Sequence, residues 1–186
     1  KCIKAIPMTP DGKPTPALLT KTALEAASIP HIVINAGSKI VPQIPYLETG
    51  IKFGKNISLE PALDRSSVLH AVDYGRIIGR TLASLTDCLV IGESIPGGTT
   101  TALAVLKGLG INAMVSSSMQ QNPTELKKKV VFEALKRVGS DDPYEVVSNV
   151  GDPMIPLVAG MISSASQITN VMLAGGTQMA AVLAFG

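Results

Sequence analysis

One run near the middle of the chain constrains the fold most. Cys88-Leu89-Val90-Ile91 is apolar, Gly92-Glu93-Ser94-Ile95-Pro96-Gly97-Gly98 is turn-rich, and Thr99-Thr100-Thr101-Ala102-Leu103-Ala104-Val105-Leu106 resumes an apolar pattern. This reads as strand, glycine-rich turn and helix, the unit from which parallel α/β sheets are assembled. Its spacing is close to that of a nucleotide-binding P-loop, except that Gly98 stands where that loop has lysine. Backbone N–H groups at a helix start still cradle a phosphate without the lysine. The cation that meets the β- and γ-phosphates of a triphosphate is gone, and a carboxylate, Glu93, stands beside the turn. The pattern implies a monophosphate handled next to an acid/base or hydrogen-bonding group, and argues against an ATPase. Three consecutive threonines are poor helix formers and a plain cap needs only one. Gly92, Gly97, Gly98, Thr99 and Thr100 are therefore assigned to anion binding, with Glu93 as the functional carboxylate.

The alternation continues along the chain. Thr15 is the expected cap, and Pro16 the first turn, of a helix running to about Ser28, followed by a strand at His31–Asn35. Residues 39–63 hold prolines and glycines without clean periodicity and form a long excursion, of the kind that is commonly functional or interfacial. Asp64 is the expected cap of a helix on which Val68, Leu69, Val72, Ile77, Ile78, Leu82 and Leu85 recur at helical spacing. A strand near Ala113-Met114-Val115 leads to Ser116-Ser117-Ser118. A helix then opens with Asn122 as cap, Pro123 in the first turn and Glu125 as capping-box partner. A strand over 145–149 leads to Gly151-Asp152-Pro153, where Asp152 caps a further helix, and a strand over 170–174 runs into Gly175-Gly176-Thr177 and a last helix.

The expected fold is an α/β domain over 1–186, a doubly wound, mostly parallel sheet flanked by helices in a Rossmann-like three-layer arrangement. Strand C-ends and helix N-ends then share one edge, where ligands bind. Four junctions rich in small and polar residues fall on that edge, so Ser116, Ser117, Gly151, Asp152, Gly175, Gly176 and Thr177 join the candidate site. Of Lys127, Lys128 and Lys129, the last lies one turn from apolar Leu126 and is the lysine expected to face the edge.

Composition narrows the function. The chain has 186 residues, 46% of them hydrophobic and 16% charged, with no Trp and only three Phe and three Tyr. Aliphatic content of this kind suits a buried parallel sheet. A net charge of +2, scattered cations and few aromatics leave no footprint for nucleic acid. No apolar stretch reaches the roughly 18 residues of a membrane span, and no signal peptide is recognisable. Cys2 and Cys88 are expected as free thiols in a reduced cytoplasm, Cys88 within a core strand. His31 and His70 are isolated, no metal-ligand spacing occurs, and Met154, Met161, Met172 and Met179 read as core. No metal or cofactor is expected. Both ends read as cuts within a longer protein.

With these residues in place, the chain resembles the nicotinate-nucleotide–dimethylbenzimidazole phosphoribosyltransferase family of cobalamin assembly, closest to its archaeal branch. The resemblance rests on Gly92-Glu93 through Thr99-Thr100-Thr101-Ala102, the Leu126–Lys129 segment, Gly151-Asp152-Pro153, and Leu173-Ala174-Gly175-Gly176-Thr177-Gln178-Met179. It implies small-molecule substrates, nicotinate mononucleotide and a benzimidazole-type base, in a cytoplasmic homodimer. It implies that Glu93 lies near the reacting groups, that Gly97, Gly98 and Thr99 bind the phosphate, and that Lys129 meets that phosphate. Bacterial members carry a base glutamate nearer the C-terminus than this chain reaches, and an aspartate where this chain has Ala174. Two other readings compete: a phosphatase or kinase using the same edge, and a non-catalytic phosphate- or nucleotide-binding module.

Overall fold

The computed structural model describes Met8, residues 12–115 and residues 122–186. Along it run α1 (Pro16–Ala26), β1 (Ile34–Asn35), β2 (Leu47–Glu48), α2 (Arg65–Ala83), β3 (Cys88–Gly92) and α3 (Gly98–Gly108). There follow α4 (Thr124–Leu135), α5 (Pro143–Val150), α6 (Met154–Ala165), β4 (Asn170–Ala174) and α7 (Thr177–Phe185). The class is α/β with parallel strands: β1 pairs with β2, and β3 with β4, each in parallel. The register sets Gly92 opposite Ala174, so the turns after β3 and β4 leave the sheet side by side.

Alternation along the strands decides which side chains are covered. Leu89, Ile91, Val171 and Leu173 pack against the core, while Val90 and Met172 point outward and are exposed. Cys88, expected inside, is exposed and free because it shares the outward face of β3 with Val90.

The core is organised around α2 and α6. Helix α6 is buried from Met154 through Met161, as expected of a helix that is apolar all round. Glycines let the two backbones touch. A Cβ on Gly75 would stand 2.0 Å from the Leu157 carbonyl oxygen, one on Gly79 2.3 Å from that of Met161, and one on Gly160 2.1 Å from that of Val72. Val68, Ala71, Val72, Ile155, Leu157 and Val158 fill the surrounding space.

Residues 39–63 contain the two-residue β2 and otherwise run as loop. The excursion is pinned by Ala62 and Leu63 N–H groups donating to the Asn149 and Ser148 carbonyls at 3.2 and 2.9 Å, and by Arg137, which donates to Ile57 and Glu60 carbonyls. Ile51, Ile57, Ala62 and Leu63 are buried beneath it.

Several local expectations are corrected. The segment 145–149 is not a strand but part of α5. Its valines follow helical spacing, with Val146, Val147 and Val150 buried, while Asp142 accepts from the Tyr144 N–H at 3.3 Å and Pro143 fills the first turn. The cap and the core-facing stripe outweigh the β-branched content. Ala113–Val115 is coil, with the Val115 carbonyl accepting from Asn122 Nδ2 at 2.8 Å. Asn122 is thereby taken from capping, and Glu125 pairs with Lys128 at 2.9 Å in place of closing a capping box. Thr15 and Asp64 hold their N-cap positions without side-chain cap bonds.

Overpacking at a backbone-to-backbone contact cannot be relieved by a rotamer change. Gly75→Ala is therefore expected to lower stability by about 3 kcal/mol, read as a drop in the urea midpoint at unchanged slope; an unchanged midpoint would show the helices less tightly apposed.

Candidate functional site

The site forms where two strand-to-helix turns meet. After β3 the chain passes Glu93, half-buried, and reaches Gly97, whose φ of 71° is left-handed and favours glycine. Gly97 is the N-cap of α3, no side chain caps that helix, and its first turn holds no acid. After β4, Gly175 and Gly176 lead into α7, again with no side-chain cap and no acid in the first turn. Two helix N-termini thus lie at one sheet edge, each with a glycine at its N-cap and no acid in its first turn, an arrangement suited to an anion. Thr99 and Thr100 stand in the first turn of α3, with the Thr100 N–H donating to the Gly97 carbonyl at 2.9 Å.

The third group arrives differently from expectation. Gly151 and Asp152 lie at a helix-to-helix junction between α5 and α6, not after a strand. Asp152 still reaches the edge, because the Thr101 hydroxyl donates to its Oδ2 at 2.7 Å while its Oδ1 accepts the Met154 N–H at 3.1 Å. The expected cap of α6 is thus present. The same carboxylate ties α6 to α3. The 39–63 excursion reaches this junction at Gly54, which packs against Pro153 together with Gly37 just ahead of the excursion.

Burial dominates the electrostatics here. It pushes the Asp152 carboxyl above its ordinary value, opposed by the Thr101 hydroxyl and the Met154 and Ile155 N–H groups. Burial also raises Glu93; the Ile95 N–H opposes the rise and the nearby Asp152 charge adds to it. The two carboxylates therefore sense one another across the edge.

Other expected residues are distributed unevenly. Gly92, Glu93, Gly97, Gly98, Thr99 and Thr100 come together with Gly175, Gly176 and Thr177, and Asp152 joins them through Thr101. Ser116 and Ser117 lie outside the described residues. Lys129 is exposed, as is Leu126, so the inward lysine of α4 is Lys127, which is 6% exposed and whose pKa is lowered by burial. Leu126, taken in sequence as the covered side of α4, is exposed, and Val131 and Ala134 mark the buried face. Among the described residues no group of three or more His, Cys, Asp or Glu could hold a metal ion, and no helix is long and apolar enough to cross a membrane.

A family model described as phosphoribosyltransferase matches residues 22–185. The chain belongs to the nicotinate-nucleotide–dimethylbenzimidazole phosphoribosyltransferase family. It is 54% identical over 184 residues to a UPF0284 protein of Archaeoglobus fulgidus, covering 98% of this chain and 54% of that one. A UPF0284 protein of Methanothermobacter thermautotrophicus is 44% identical over 195 residues, covering 99% and 53%. The chain thus spans about half the length of the curated relatives it matches. The crystal structure of the nicotinate-nucleotide–dimethylbenzimidazole phosphoribosyltransferase of Thermus thermophilus superposes with a TM-score of 0.75 at 24% identity, over 89% of this chain and 52% of that one. That likeness shows the same fold.

Sequence reasoning missed two members of this family member's site. Thr101 reads in sequence as one of the threonines of the β3 turn motif with no role of its own, yet it is the link to Asp152. Gln178 is buried beside Glu93; its cue was an amide followed by an otherwise apolar helix.

The raised Asp152 pKa has a signed consequence. A carboxyl that is harder to ionise when folded binds more protons than in the unfolded chain, so its contribution falls as pH rises from its ordinary 3.8 through its folded pKa. Asp152→Asn should remove that slope: the wild-type-minus-variant difference in unfolding free energy should decline across this window and flatten above it, as followed by urea melts at stepped pH. A difference that rises with pH would reverse the assignment.

Proposed function

We propose that the protein transfers the phosphoribosyl group of nicotinate mononucleotide to a benzimidazole-type base, making the lower-ligand nucleotide of cobalamin. The observation that carries the reading is Glu93 beside two helix N-termini that carry neither side-chain caps nor acids. Family membership supports it. In this reading the phosphate binds at the N-termini of α3 and α7, against Gly97, Gly98, Thr99, Thr100, Gly176 and Thr177, and serves as a remote handle that positions the sugar. Lys127 takes the phosphate-facing role in place of Lys129, since it is the lysine of α4 that is turned inward. Ser116 and Ser117 remain part of the proposed phosphate side.

The chemistry is a substitution at C1′ with inversion. The bond from C1′ to the nicotinate ring nitrogen breaks, its electron pair neutralises the pyridinium, and nicotinate leaves. A benzimidazole nitrogen lone pair forms the new C1′–N bond, and the proton on the other ring nitrogen passes to a base. Positive charge grows on the sugar during this exchange, and an ionised Glu93 stabilises it electrostatically. No diphosphate departs, so a triphosphate-binding lysine has no task. Ala174, in place of the aspartate of bacterial members, supports an acceptor base that differs from theirs. Action as a homodimer in the cytoplasm belongs to the same proposal.

Nicotinate release by the intact protein, given nicotinate mononucleotide and dimethylbenzimidazole, tests the function. Absence of release with any benzimidazole, despite mononucleotide binding, would leave a binding module; tight ATP binding without mononucleotide binding would defeat the reading altogether. Glu93→Gln should keep mononucleotide affinity within a few-fold while lowering kcat about a hundredfold. In calorimetry, Lys127→Ala should weaken mononucleotide binding about tenfold or more, and Lys129→Ala should leave it nearly unchanged.

A further inference from the structure

Gln178 is a polar side chain buried at the second position of α7, 8% exposed. Its amide lies against the backbone of Gly98, where a Cβ would stand 2.6 Å from Cδ, 2.6 Å from Nε2 and 2.7 Å from Oε1. Across the amide is the Glu93 carboxylate. An amide oxygen turned toward that carboxylate would set acceptor against acceptor. With the amide nitrogen turned to it, Gln178 donates to Glu93 Oε1 at 3.2 Å and to Oε2 as well. Gly175 borders the same carboxylate from the other turn, its Cβ position 3.6 Å from Oε1.

We infer that Gln178 is a positioning residue, whose amide holds both oxygens of Glu93 in place at the edge and for which Gly98 makes room. The inference rests on the proposed role of Glu93 toward the sugar. A glutamate on a turn has three rotatable side-chain bonds, and electrostatic stabilisation needs a charge that is already in position. Gln178 removes that freedom from a rigid helix, without bringing a competing charge. Among the described residues, Glu93 is faced by Asp152 from the α5–α6 junction, the Ile95 N–H of its own turn, and Gln178 from α7. Burial and Asp152 favour the neutral acid, whereas an amide donor favours the carboxylate that the reaction needs. A side chain at position 98, and above all a lysine, would displace the amide.

Gln178→Met keeps the length of the side chain and removes its donor. In the intact protein, two readings are taken: the Glu93 carboxyl titration by carbon-13 NMR, and kcat and KM for nicotinate release against pH. Gln178→Met should move the Glu93 titration and the acid limb of kcat to higher pH. It should lower kcat about ten- to a hundredfold, with KM for the mononucleotide held within about threefold. Gly98→Ala should reproduce the titration shift with Gln178 intact. An unchanged Glu93 titration in Gln178→Met overturns the inference, and so does a shifted titration with unaltered kcat. If instead Glu93→Gln turns over at the wild-type rate, it is the reading of Glu93 that fails, and the titration still decides whether Gln178 holds it.

Discussion

The structure depends on the direct contact between α2 and α6. Carbonyl oxygens of Val72, Leu157 and Met161 occupy the volume where side chains of Gly160, Gly75 and Gly79 would begin. Dispersion is gained where the two backbones approach so closely. The consequence for the site is positional. Helix α6 begins two residues after Asp152, so fixing α6 against α2 fixes that carboxylate. Thr101 then carries the constraint to α3 and the glycine turn before it.

A buried carboxylate is a costly device for joining helices, since its charge must leave water. Here three donors, the Thr101 hydroxyl and the N–H groups of Met154 and Ile155, oppose the cost without cancelling it. The arrangement has an effect beyond stability. Asp152 makes the edge less hospitable to a second negative charge, and Glu93 is raised partly by it. A bound phosphate would add to that repulsion, which the N–H groups of two helix N-termini, and a cationic sugar, are suited to relieve. The site is therefore poised toward a ligand that brings negative charge at one end and developing positive charge at the other.

Legibility in the sequence followed how local each cause was. The β3 turn and the β4 turn were readable because glycines, apolar alternation and helix onset all fall within a dozen residues, with Gly97 of the β3 turn at a left-handed φ. Asp152 was placed correctly as a cap of α6, since capping is a two-residue affair. The strand expected over 145–149 failed because three valines carry high β-propensity, while the deciding contacts of Val146, Val147 and Val150 are with distant elements. Asp142-Pro143 is the local sign of a helix start there, and the valine run masks it. Lys127 was missed for a similar reason: which face of α4 is covered depends on α3 and α5, not on Leu126 alone.

The absent lysine of the P-loop-like turn now has a steric cause as well as a chemical one. From sequence, Gly98 reads as a statement about substrate, one phosphate and no triphosphate. In the structure, Gly98 is also the floor beneath the Gln178 amide, which a methyl group there would push aside. The two causes are linked. A lysine there would place its stem through the amide and its cation beside Glu93, pairing with the carboxylate that the sugar is proposed to need. Removing the side chain at position 98 lets a neutral donor hold Glu93 instead, so that its charge is oriented yet left uncompensated. In the proposed reading, a single glycine thus trades a cation suited to phosphoryl chemistry for an oriented anion suited to glycosyl chemistry.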